Sequence, residues 1–139
     1  SDAAAVETEM NRLITFALVI LIGGGLALYK AKSNHDVDDK VDATVEKVLA
    51  ACKRTAGYAK YEARVIESGE VAHDRAMDVA YTPSSRRGPA KFDARKYALT
   101  FAEQIVIHGK LGQTDRDLDQ FLRQLQIDLE HAANAGEFD

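Results

Sequence analysis

The chain of 139 residues has few of the residue types that cross-link a fold or perform catalysis, with one cysteine, two prolines and four histidines. The single Cys52 excludes an internal disulfide and agrees with a reducing compartment. No His-x-x-x-His or Cys-x-x-Cys pair, glycine-rich phosphate loop or nucleophile elbow is present. The sequence therefore indicates a protein that is not an enzyme, and it predicts no cofactor and no bound metal.

A strong excess of charge of either sign is also missing. The 18 basic and 22 acidic residues nearly cancel. A protein that binds nucleic acid through its overall field is usually strongly basic. No nucleic acid partner is expected.

One long uncharged run stands out against this background. Residues Leu13 to Tyr29 read LITFALVILIGGGLALY without a charged side chain. As a helix these residues cover about 25 Å, close to the thickness of a bilayer core. The run predicts a single transmembrane helix over residues 13–29, preceded by an acidic tail over 1–12. A helix buried in a soluble core is one alternative, and a cleaved signal peptide is another.

The residues that flank the run agree with a membrane anchor and set its orientation. Tyr29, Lys30 and Lys32 suit the membrane interface, where tyrosine and snorkelling cations are favoured. More Lys and Arg follow the run than precede it, so the C-terminal domain is predicted to be cytoplasmic, or matrix or stromal, with the N-terminus outside.

Small residues in the middle of the run predict a contact between membrane helices. Gly23, Gly24, Gly25 and Ala27 would let the backbone of another helix approach closely. The alternative is that glycine is simply common in membrane helices.

The remainder of the chain is interpreted as a linker over residues 30–35 and one helical domain over 36–139. Apolar or small residues recur at helical spacing from Val37 to Ile66 and predict one long helix, with Cys52 as a small core residue and a break or kink at Ser68-Gly69. The prolines predict a loop over Thr82 to Ala90, and two more helices follow. The second of these is predicted to have its N-cap at Thr114, one buried face and a stop near Gly136. That face consists of Leu118, Phe121, Leu122, Leu125, Leu129 and Ala132. The predicted fold class is all-α, with the transmembrane helix followed by a small irregular bundle of three or four helices.

A basic segment is the most suggestive feature of the predicted domain. Acids are concentrated near the C-terminus, whereas residues 86–96 contain one acid, Asp93. This segment is interpreted either as a patch near Phe92 and Tyr97 for an acidic partner, anionic lipid headgroups or RNA, with RNA the least favoured of these, or as one side of charge pairing across the bundle. Its cations are Arg86, Arg87, Lys91, Arg95 and Lys96.

Two acidic clusters have alternative interpretations as metal sites. His35 with Asp36, Asp38 and Asp39 has carboxylates but lacks the glycine turn and closing glutamate of a calcium loop, so it is better interpreted as the start of a helix. The alternating aspartates after Thr114 are interpreted in the same way, as helix caps.

These features lead to a hypothesis about function from architecture alone. A single anchor and a small helical domain are typical of a non-catalytic accessory or assembly subunit that stabilises a larger membrane complex. Its expected partners are other membrane-protein subunits, or copies of itself, and the lipid bilayer. The alternatives are a self-assembling subunit of a filament, virion membrane or lysis system, and a membrane-tethered enzyme.

Overall fold

A computed structural model describes residues 35–139, with side chains from Val37 onward. Four helices and a two-stranded hairpin make up this part of the chain. They are α1 His35–Lys53, α2 Tyr58–Ala80, β1 Tyr81–Thr82, β2 Lys91–Phe92, α3 Ala94–Lys110 and α4 Arg116–Asn134. The all-α prediction and the small bundle are confirmed for the described residues. The predicted tail and transmembrane helix, and most of the linker, lie outside them.

The long first helix predicted up to Ile66 is wrong, because the chain turns between α1 and α2. Gly57 has φ +89°, a left-handed conformation that glycine adopts without strain, and it resets the helical phase. The alanines that extended the apolar stripe in the sequence are exposed; they are Ala56, Ala59 and Ala63. Alanine has the highest helix propensity wherever its side chain points, so the spacing alone misplaced the boundary.

The break predicted at Ser68-Gly69 is also wrong. Helix α2 runs through both residues, which are buried. The Ser68 hydroxyl donates to the Arg64 carbonyl at 2.6 Å, so its polar group is satisfied within the helix. A glycine inside a helix costs about 1 kcal/mol, and packing against the rest of the bundle offsets this cost.

Helix α3 is the central element of the bundle: it contacts α2 and α4 extensively, and α1 packs against α4 and α3. Helix α2 makes its most extensive contact with α3. The largest fully buried side chains include Tyr97, Phe101 and Ile105 of α3 and a leucine stripe on α4. This stripe agrees with the sequence analysis, and its fully buried members are Leu122, Leu125 and Leu129.

The two ends of α4 are fixed by local hydrogen bonds. Asp115, one residue after the predicted Thr114, is the N-cap, and its side chain accepts from the Asp117 N–H at 2.9 Å. Gly136 lies just after the helix with φ +77°, where glycine was expected to end it. The chain then turns back, and the Phe138 side chain is buried in the core.

Candidate functional site

The loop predicted over Thr82 to Ala90 is a hairpin. Tyr81 pairs with Phe92 and Thr82 pairs with Lys91 in the antiparallel strands. Nearer the tip, the Ser85 N–H donates to the Gly88 carbonyl at 2.9 Å, and the Gly88 N–H donates back to Ser85 at 3.1 Å. The two residues between them are arginines.

Arg86 and Arg87 therefore occupy the centre of a tight turn. Both have negative φ, as a type I turn requires, and both are exposed. The Arg87 N–H also donates to the Ser85 hydroxyl at 3.2 Å, which stabilises the turn. The hairpin presents two adjacent guanidinium groups at its tip.

Three further cations lie on the strand and helix that follow the turn. Lys91 is exposed on β2, while Arg95 and Lys96 are exposed in the first turn of α3. We call Arg86, Arg87, Lys91, Arg95 and Lys96 the basic surface. A helix N-terminus carries partial positive charge, so two cations in this turn do not stabilise α3. The cap is supplied instead by Asp93, which accepts from the Lys96 N–H at 3.0 Å.

The charge pairing considered for this segment is not formed by most of its members. Arg95 alone reaches α4, where it donates to the Asn134 side-chain oxygen at 2.8 Å, an amide rather than an acid. Within residues 37–139, no ion pair joins the other four cations to an acidic side chain.

The base of the hairpin is fixed to the bundle. Phe92 and Tyr97, the aromatic residues of and beside the basic segment, are core residues, 7% and 0% exposed. Their rings lie 5.8 Å apart, centroid to centroid. The Lys40 ammonium of α1 donates to the Phe92 carbonyl at 3.0 Å. The basic surface therefore lies on a rigid base, close to the first turns of α1.

A buried polar cluster lies beneath this region. His73 Nδ1 and the Tyr97 hydroxyl are 2.7 Å apart, and burial raises the pKa of Tyr97 well above its usual value. Burial also raises the pKa of Cys52 to about 12. Cys52 is fully buried, as predicted for a small core residue. Its thiol stays protonated at neutral pH, which disfavours a role as nucleophile.

The metal alternatives find no support among the described side chains. Within that part of the chain, no group of three or more His, Cys, Asp or Glu residues is arranged to hold a metal ion. The side chains of His35 and Asp36 lie outside it. None of helices α1 to α4 is both long and apolar enough to cross a membrane.

The predicted membrane residues remain predictions, because the structure describes none of them. They are Gly23, Gly24, Gly25, Ala27, Tyr29, Lys30 and Lys32. The hairpin, by contrast, has a sequence signal that was missed. Serine is favoured at the first position of a type I turn and glycine at the fourth, as in Ser85-Arg86-Arg87-Gly88.

Comparison with known proteins adds no family: no protein-family model, curated protein or solved structure matches this chain.

Proposed function

We propose that the chain is a single-pass membrane-anchored, non-catalytic accessory or assembly subunit of a larger membrane protein complex. One observation carries the proposal. The uncharged run from Leu13 to Tyr29 ends only five residues before α1 begins at His35. A bilayer-length apolar segment and a folded domain joined so closely are typical of a tethered module.

The described domain supports this proposal through its self-sufficient core. Aromatic and aliphatic side chains of all four helices fill it, and the polar ends of α4 are capped within the chain. Such a domain can fold beside the membrane and leave its outer faces for partner subunits. In the proposed orientation the domain is cytoplasmic, or matrix or stromal, and the N-terminus is outside.

The glycines at the centre of the run are the proposed contact with a partner helix. In lipid, helix association depends on close backbone approach, so a large side chain at the contact separates the helices. Gly24→Leu is the direct test. Val19→Leu is the matched control, because it enlarges a side chain of the same run outside the three glycines.

The experiment is extraction of the full chain from native membranes in mild detergent, through a tag placed after the exposed Asp139. We expect defined other subunits to co-purify with the parent chain and with Val19→Leu, and to be lost with Gly24→Leu. Circular dichroism and thermal unfolding should show the helical domain intact in both variants. Recovery of this chain alone, as a regular oligomer, would favour the self-assembling alternative.

A further inference from the structure

We propose that the basic surface binds the phosphate groups of anionic lipid headgroups in the same membrane that anchors the chain. This inference rests on the proposed function, since it needs the segment before α1 to hold the domain at a bilayer. It assigns a binding role to a hairpin that contributes little to the core beyond its base.

The chemistry of the tip suits phosphate. A guanidinium group presents several donors in a planar fork that matches phosphate oxygens, and it stays charged at any physiological pH. Arg86 and Arg87 offer two such groups side by side. The segment from Tyr81 to Phe92 contains these arginines and Lys91 but no acidic residue.

The position of the hairpin suits a membrane surface. Five residues separate Tyr29 from His35, and an extended chain of that length spans about 18 Å at most. Lys40, which binds the Phe92 carbonyl, lies within two helical turns of the start of α1. The short tether thus holds the base of the hairpin near the bilayer.

The surface fits lipid headgroups better than a protein partner. Protein interfaces usually have aromatic or aliphatic anchors at their centre. The residues around the two arginines are instead serine, proline and glycine. The predicted orientation also puts the domain at the leaflet that carries anionic lipid.

Acidic residues near the hairpin affect the ionic strength at which the basic surface contacts the headgroups. Asp38 and Asp39 of α1 share this end of the domain and are repelled by the same headgroups, whereas Asp93 is engaged as the cap of α3. We therefore expect contact with anionic bilayers at low ionic strength, and loss of contact when salt screens the charges.

The test measures contact between the hairpin and the bilayer in the full chain. Ser84→Cys, in a Cys52→Ala background, allows an environment-sensitive fluorophore to be attached at the exposed residue beside the tip. The labelled chain is reconstituted into nanodiscs of phosphatidylcholine alone or of phosphatidylcholine with phosphatidylserine. The readouts are fluorophore emission and its quenching by lipids that carry a quencher at the headgroup.

The triple variant Arg86→Gln, Arg87→Gln, Lys91→Gln removes three charges from the hairpin. Lys47→Gln, Lys53→Gln, Arg116→Gln removes the same charge from exposed positions elsewhere and is the matched control. We expect headgroup quenching only in nanodiscs that contain phosphatidylserine. The ratio of bound to free hairpin should fall about fivefold for each hairpin charge removed, and about a hundredfold for all three.

Two results would overturn the inference. One is equal quenching in neutral and anionic nanodiscs, and the other is equal loss in the two triple variants. Shielding of the label in native membranes but not in anionic nanodiscs would assign the surface to an acidic protein instead. Failure of the chain to insert into neutral nanodiscs, seen as extraction by alkaline carbonate, would count against the membrane anchor itself.

Discussion

The two ends of the helical bundle use their cations in different ways. At the end formed by the turn between α3 and α4, Arg64 donates to the Gly109 and Leu111 carbonyls at 2.9 and 2.8 Å, and Lys110 lies 2.7 Å from Asp119. At the hairpin end, four of the five cations of the basic surface have no ion pair with a described acid. Arg64 and Lys110 stabilise the fold at the first end. At the second end Lys40 and Arg95 do so, whereas Arg86, Arg87, Lys91 and Lys96 are available for binding.

The cores beneath the two ends differ as well. The turn end is packed with aliphatic and aromatic side chains, including Leu118 and Leu122 of α4. Toward the hairpin end the core contains the Tyr97 hydroxyl, 2.7 Å from His73 Nδ1. Burial raises the pKa of that hydroxyl, and the Cys52 thiol is close enough to Tyr97 for its charge to raise it further. The close approach of Gly109 to Leu122 distinguishes the packing of the turn end. Buried groups with raised pKa values occur toward both ends, because burial also raises the pKa of Tyr58 at the start of α2 to about 12.

The largest effect should come from the packing at the turn end. Leu122→Ala empties a fully buried position and should lower the free energy of unfolding by about 2–5 kcal/mol. A Cβ added at Gly109 would lie 2.8 Å from a Leu122 methyl group. Gly109→Ala is therefore expected to be tolerated better in the Leu122→Ala background than alone.

Urea unfolding of the two single variants and the double variant measures this coupling. If α3 and α4 pack as closely here as the geometry indicates, the double variant loses less unfolding free energy than the two single variants lose together. Strict additivity would mean that the two positions do not share space, and the contrast in packing between the ends would be lost.

The next largest effect compares the contribution to stability of a cation at the turn end with that of two cations at the hairpin end. Arg64→Ala leaves the last carbonyls of α3 without their charged donor and should lower stability by about 1.5–3 kcal/mol. Arg86→Gln with Arg87→Gln removes two charges that are paired with no described acid, so its effect should stay within about 0.5 kcal/mol. Both are measured by thermal unfolding. Comparable losses from the two variants would contradict the division of roles.

The sequence predicted the interior of α4 better than the boundary between α1 and α2. Leu118, Leu122, Leu125 and Leu129 repeat at helical spacing because one face of α4 is buried throughout, and the pattern therefore identified both the helix and its core face. The end of the first helix, after Cys52, was predicted wrongly, because alanines continue the spacing while the backbone turns at Gly57. A left-handed glycine resets the phase without leaving a sign in the apolar pattern.

The sequence predicted which charged residues belong to the candidate site but not how the fold arranges them in space. The cations of residues 86–96 were identified as a segment, because charge is visible in a sequence. The contact between Lys40 and Phe92 that fixes the hairpin joins residues 52 positions apart, which no local pattern encodes. Phe92 was associated with the basic segment although it is buried, because an aromatic residue beside cations does not reveal whether its side chain faces the core.

The smallest effect concerns the ionisable core beneath the hairpin. The pKa of Cys52 is raised from 9.0 to about 12, so the thiol ionises in the unfolded chain before it does in the folded one. The folded state then holds one more proton, and this contribution to stability is present below pH 9 and lost as pH rises toward 12. At pH 10 the loss from Cys52 is about 1 kcal/mol. Tyr58 and Tyr97 add losses of the same sign at higher pH, because burial raises the pKa of both hydroxyls.

Cys52→Ala should therefore reduce the loss of unfolding free energy between pH 9 and pH 10. This holds whatever stability the substitution costs at neutral pH. Val48→Ala is the matched control, because it shortens another fully buried side chain of α1 without removing an ionisable group. Urea unfolding across this pH range gives the slope for each variant, and hydrogen exchange locates the change. If the hairpin end is the pH-sensitive one, amides of α1 and of the first turns of α3 lose protection before those of the turn between α3 and α4. A slope unchanged by Cys52→Ala would mean that the thiol ionises equally in both states, and the two ends would then differ in their surface cations alone.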